Sequence, residues 1–215
     1  MSELRIVPLG GLGKVTQNMY LYEYGNEILI VDCGIGFPDE YMPGVDTLIP
    51  DTTYLHEQIA QGKKVVGMVI SHGHEDHMGA LPYILPEFEK MPVIWGSTLT
   101  IGFVKKKIQE KKLAVELNVF KDLEPVKFGE HFSVMSLAVT HSVPDTKHLV
   151  IETPEGTVYH GSDFKLDDNP IDGVKTDLET MKRVGNKGIV LALLDCLRVE
   201  QLEPTGSESL TGPEL

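Results

Sequence analysis

Cysteine is scarce: Cys33 and Cys196 are the only two among 215 residues. Two thiols so far apart make no disulfide framework, which excludes the small stapled secreted classes and favours a reducing cytoplasm. Each reads as a small buried hydrophobe. No apolar run approaches the ~20 residues of a membrane-spanning helix, so no membrane partner is expected. The opening "MSELRIVPLGG" lacks the basic and apolar regions of a secretory leader. Positive charge is short as well, with 19 Lys and Arg against 32 Asp and Glu and a net charge of −13. Such a chain does not coat itself in phosphodiester backbone, so any nucleic-acid role must come from a local site. The local exception is "KKKIQEKK" (Lys105–Lys112), five lysines in eight residues. It reads first as the solvated face of a helix and second as a phosphate-tracking patch.

Strand signals dominate what is there. "LRIVPLG" (4–10), "NMYLYEY" (18–24), "EILIVDCG" (27–34) and "PVIW" (92–95) alternate or run apolar over strand length. So do residues 131–141, 148–153 and 156–163. "VVGMVI" (65–70) and "GIVLALLD" (188–195) are continuous apolar runs expected to be buried on both faces. Helices are predicted at Tyr54–Ala60, from "GALPYIL" (79–85), at Ser97–Lys112 and at Asp177–Val184. Strands outnumber helices, and hairpins mix with crossover helices. The expected class is α/β with mixed sheets, packed as layers. The tail "RVEQLEPTGSESLTGPEL" has no periodicity and reads as a loop or linker.

The chemistry concentrates in "ISHGHEDHMGALPY" (70–83), where three histidines and two acids follow an apolar run. Neutral imidazoles and carboxylates are what a borderline divalent metal takes, and H-x-H-x-D-H spacing lets one loop offer several at once. His72 and His74, alternate residues of an extended turn, can share one ion. Asp76 and His77 lie where the next helix begins and can face a second. One loop cannot complete two sites, so further ligands are sought at other strand ends, where α/β sites gather. His141 ends one apolar run and Asp163 another; an acid between two ions is the natural bridge, which suits Asp163. Glu75 is expected to be solvated, and His148 and His160 to be packed strand histidines. "GGLGKVTQN" lacks the third glycine of a dinucleotide fingerprint and is not followed by a helix. It reads as a tight connection near the metal edge.

These phrases resemble the metal motifs of the metallo-β-lactamase fold. "GGLGKVTQNMYLYEYG", "HGHEDHMGALPY", "THSVPDT" and "YHGSDFKLD", in that order, are similar to the ribonuclease J branch of the β-CASP nucleases. The resemblance implies an αββα sandwich with mixed sheets over residues 1–196. It implies two divalent ions, zinc first and manganese second, with His72, His74 and His141 on one, Asp76 and His77 on the other, and Asp163 bridging. Asp76 and Asp163 are thereby the catalytic acids, and Asp32 orients the metal loop. RNA is the implied substrate. A small-molecule hydrolase (thioester, lactone or lactam) and a non-catalytic metal-stabilised partner domain are the alternatives. The family pattern also calls for a later histidine, and none follows His160. Residues 197–215 fall where a β-CASP insertion would begin, so the sandwich is expected to be incomplete, and a missing C-terminal region or homo-oligomer is expected with it.

Overall fold

The computed structural model describes residues 3–203 and 205–210. Strands β1 (Arg5–Gly10), β2 (Met19–Tyr24) and β3 (Glu27–Val31) form an antiparallel meander. Gly25, at φ 59°, supplies the left-handed step of its β2–β3 turn. Strands β4 (Lys64–Val69), β5 (Ile94–Gly96) and β6 (Leu117–Val119) then add in parallel, giving a six-stranded sheet in the order β1-β2-β3-β4-β5-β6. The second sheet comprises β7 (Val126–Phe128), β8 (Phe132–Ala138), β9 (Lys147–Thr153), β10 (Gly156–His160) and β11 (Leu191–Leu193). Its order is β11-β10-β9-β8-β7, antiparallel except for the β10–β11 pair.

Side-chain alternation separates three apolar layers. Met19, Leu21, Ile28 and Ile30 point out of the first sheet toward helices α1 (Thr53–Ala60), α3 (Leu81–Ile84) and α4 (Thr98–Glu110). The intervening Tyr20, Tyr22, Leu29 and Val31 point inward, against Phe128, Phe132, Leu149 and Ile151 of the second sheet. A period of two therefore buries β2 and β3 on both faces. The sheets approach so closely that a Cβ on Gly67 would lie 2.4 Å from Phe128 Cδ1. On the far side, Met181 and Val184 of α5 (Leu178–Lys187) cover Leu137, Val139, Val150 and Tyr159. The result is an αββα sandwich of two mixed sheets, as the resemblance implied.

Several elements differ from their sequence signals. The run at 188–195 is not a strand buried on both faces: only Leu191–Leu193 pair, at the sheet edge, and Val190 and Leu194 are 59% and 54% exposed. An apolar run cannot distinguish a covered strand from an edge strand whose outer face nothing covers. Strands β6 and β7, three residues each, are too short to show a period. The helix expected in "GALPYIL" is α3 (Leu81–Ile84), and a separate short helix, α2 (Glu75–Met78), precedes it inside the histidine motif. Strand β8 stops at Ala138, so His141 lies three residues into the following loop. Cys33 is buried as expected, whereas Cys196 is exposed. Part of the expected tail folds back: Ser207 Oγ and the Glu208 amide both donate to Asp167 Oδ2, at 3.0 and 3.1 Å. Residues 204 and 211–215 of that tail lie outside the described residues.

Candidate metal centre

The crowding of titratable groups after β4 has a structural cause in the neighbouring strand end. Asp32, immediately after β3, is fully buried and sits at φ 62°. From there its carboxylate accepts hydrogen bonds from the Ser71 amide (2.7 Å) and Ser71 Oγ (2.9 Å), and pairs with His77 Nδ1 at 2.8 Å. The backbone repeats the link. Cys33 N donates to His77 O (2.7 Å), Ile35 N to Glu75 O (3.1 Å) and Asn18 N to Asp76 O (3.0 Å). The segment 75–77 thus lies against residues 33–35, and only glycine fits at position 34, where a Cβ would stand 1.6 Å from Asp76 O.

Docked this way, the loop turns its polar groups toward the second sheet. His72 Nε2 lies 3.1 Å from His74 Nδ1, and His141 Nε2 lies 3.2 Å from that same nitrogen. A ring nitrogen carries either one hydrogen or one lone pair, so hydrogen bonding cannot satisfy both approaches at once. Nitrogens on a tetrahedral ion at ~2.0–2.1 Å stand about 3.3 Å apart, which this cluster matches. Together with Asp163, the three imidazoles offer donor atoms all within 4.8 Å of one another. A second group, Asp76, His77 and Asp163, meets the same limit. Asp163 faces both: Oδ2 lies 3.6 Å from His141 Nε2, and Oδ1 lies 3.3 Å from His77 Nε2. The six residues singled out as ligands therefore converge, and their chemistry fits two divalent ions. Glu75 instead turns outward, half-exposed, into an ion pair with Lys107 at 2.6 Å.

Electrostatics divides the imidazoles. Burial pushes His72 well below the ordinary histidine range, helped by the neighbouring His77 and His141, and pushes His141 down to about 4. Burial pulls His77 the same way, but Asp32 and Asp163 override it and hold the ring up at about 10. Burial also raises the Asp76 carboxyl. It opposes ionisation of Asp163, which the bond to His77 and the charges of His77 and His141 nevertheless carry below the usual range. His148 and His160 stand apart from the cluster as packed strand histidines, bonded to Tyr159 Oη (2.8 Å) and Tyr22 Oη (2.7 Å).

Supporting groups that the sequence reading missed lie around Asp32. Ser71 Oγ is 2.8 Å from Ser162 Oγ and 3.0 Å from His72 Nδ1, and Asn18 Nδ2 is 3.1 Å from His77 Nε2. Ser71 stands directly before His72 and Ser162 directly before Asp163, which was the available signal; Asn18 comes from a distant element and gave none. A cavity of about 560 Å³ opens beside the second group, lined by His77, Asp163, the glycine-rich Gly11–Val15 connection and Cys196. That connection therefore lies at the metal edge, with Gly11 and Gly13 in left-handed conformation.

Residues 12–201 match the sequence profile of the Metallo-beta-lactamase superfamily. Ribonuclease J of Thermus thermophilus is 38% identical over 220 residues, an alignment covering 100% of this chain and 38% of that protein. Ribonuclease J of Synechocystis is 39% identical over 99% of this chain and 33% of its own length, and that of Helicobacter pylori 39% over 99% and 30%. The chain thus spans about a third of the length of these curated relatives. Among solved structures, a protein of unknown function from Enterococcus faecalis superposes with TM-score 0.64 at 14% identity, over 96% of this chain and 52% of that one. The metallo-beta-lactamase fold protein YhfI from Bacillus subtilis does so with TM-score 0.52 at 18% identity, over 78% and 65%. At those identities the likeness is one of fold.

Proposed function

The chain belongs to the metallo-beta-lactamase superfamily, and on that footing we propose that it is a metal-dependent phosphodiester hydrolase of the ribonuclease J type, acting on RNA. The observation that carries the reading is the placement of one carboxylate, Asp163, with an oxygen toward each of two donor groups. His72, His74 and His141 would hold one ion and Asp76 and His77 the other, with Asp163 placed to serve both. Divalent ions there supply positive charge for a scissile phosphate and acidify water at neutral pH. Zinc is the first candidate and manganese the second, since both accept imidazole and carboxylate donors.

The protein's own residues prepare that chemistry. Asp32 occupies His77 Nδ1 and so leaves Nε2 to face Asp76 and Asp163. Burial keeps His72 and His141 uncharged at neutral pH, with lone pairs free to donate. The second group has three protein donors among the described residues against four in the first, so it binds its ion more weakly. RNA as substrate is supported by the Ribonuclease J relatives.

The test pairs metal content with substrate choice. His72→Ala and His74→Ala should each lower bound metal by elemental analysis, while Glu75→Ala retains it. The metal-loaded protein should cleave single-stranded RNA and leave a generic lactam or thioester intact. Unchanged metal in both histidine variants would remove the ligand assignment. Turnover of the lactam or thioester with RNA untouched would move the protein to small-molecule hydrolysis, and metal binding without turnover of any of them would leave a metal-stabilised partner domain.

A further inference from the structure

Helix α4 runs past the mouth of the metal centre and is fastened there twice. The Leu99 amide in its first turn donates to Asp145 Oδ2 at 3.0 Å, on the loop that follows His141. One turn later the ring of Phe103 packs by its Cδ2–Cε2 edge against the metal loop itself. A Cβ on Gly73, between His72 and His74, would stand 2.4 Å from Phe103 Cδ2 and 2.9 Å from Cε2. The missing side chain is what admits the ring. Yet the ring is not buried by the contact: Phe103 is 39% exposed and Leu99 37%. An aromatic left half-open against a catalytic loop is poorly explained as core.

The same helix face continues into charge. Lys106 and Lys107 lie three and four residues beyond Phe103 and so share its face. Lys107 is held by Glu75 at 2.6 Å, and Lys111 stands over the Tyr83 ring at 5.7 Å. Lys105 and Lys106 are exposed and have no carboxylate within ion-pair distance among the described residues. Residues 103–112 carry five lysines and one glutamate in a chain of net charge −13. Charge complementarity therefore selects a polyanion, and an exposed ring beside the metal loop selects one that has bases to stack.

We propose that this face of α4 is a track for single-stranded RNA leading to the metal centre, with Phe103 stacking a base at the mouth and Lys106 holding a backbone phosphate. The track rests on the RNA reading of the site, and it departs from the solvated helix face that the lysine run alone implies. Base stacking on an aromatic ring tolerates any sequence, so the track gives affinity without sequence preference.

The probe is a short fluorescent phosphorothioate oligouridylate, titrated by anisotropy into the metal-loaded protein. Phe103→Leu, which keeps apolar packing on Gly73 but loses the ring face, should weaken binding roughly 10-fold, while Phe103→Trp keeps it. Lys106→Ala should lower the slope of log K against log salt by about 0.7. Leu and Trp variants that both bind as the parent does would overturn the track. So would displacement of the probe by polyglutamate as readily as by unlabelled RNA, which would mark an acidic protein partner instead. Binding that depends on Phe103 in a protein that cleaves no RNA would leave the track standing and remove the reaction. Cleavage of RNA that is indifferent to Phe103 and to Lys106 would do the reverse.

Discussion

Asp32 shows how much of the site depends on one backbone choice. A non-glycine residue in the left-handed region costs about 1–3 kcal/mol and persists only where its surroundings over-determine it. Here the surroundings are the Ser71 amide, Ser71 Oγ and His77 Nδ1, all on one carboxylate. Buried imidazoles elsewhere carry the opposite burden, because they must stay neutral. Burial pushes His160 down to about 4 and His148 to about 3, whereas an unfolded histidine titrates near about 6.5. Between those values the unfolded chain binds more protons than the folded one, so their contribution is intact above about 6.5 and is lost as pH falls toward about 4. Below that range it changes no further. Urea midpoints of the chelated protein should therefore fall between about pH 6.5 and 5. His160→Gln should make that fall shallower by up to one proton, since the other histidines titrate alike in both proteins. An unchanged slope would mean that His160 already carries its proton when folded.

At the scale of elements, the metal loop is held by its backbone against residues 33–35 as much as by Asp32. Gly34→Ala places a methyl group 1.6 Å from Asp76 O, so the loop must move away from β3. We expect a loss of at least about 1–3 kcal/mol, the usual cost of overpacking, together with a fall in bound metal, read by denaturant melts and elemental analysis on one preparation. Full metal content in that variant would show that the side chains alone shape the site. The convergence of the candidate ligands was legible in the sequence because H-x-H-x-D-H packs four donors into one loop, and because His141 and Asp163 follow apolar runs. The αββα layering was legible through the continuous apolar run 65–70, which forms most of β4 and buries Met68 on the helix side and Val69 against the second sheet. What supports the ligands was not legible. The clash at Gly34, the Ser71–Ser162 contact and the seat of Phe103 on Gly73 each join segments far apart in sequence, and a glycine does not announce which neighbour requires it. Strands β6 and β7 escaped because three residues show no period.

For the whole molecule, the balance between apolar surface and charge decides how it behaves in solution. Strand β11 pairs with β10 on one side and, among the described residues, with no strand on the other. Around it Val190, Leu194, Leu197 and Val199 are 59%, 54%, 60% and 73% exposed. Open backbone groups beside exposed apolar side chains make an edge that pairs with another edge. Against this stands a net charge of −13, which repels a second copy until salt screens it. Because β11 is only three residues long, the edge offers little area, and the association should be weak and rapidly reversible. The two terms respond oppositely to ionic strength, which makes the driving force identifiable. Self-association measured by sedimentation velocity should rise with protein concentration and rise further as salt shortens the ~10 Å screening length of 0.1 M solution. Contacts built on ion pairs would instead weaken as salt is added. Val190→Lys with Leu194→Lys adds charge to the edge and should return the protein to monomer at every salt concentration. A parent protein that stays monomeric in high salt would show that β11 is too short to recruit a partner strand. Association that persists in the double lysine variant would place the contact on another face.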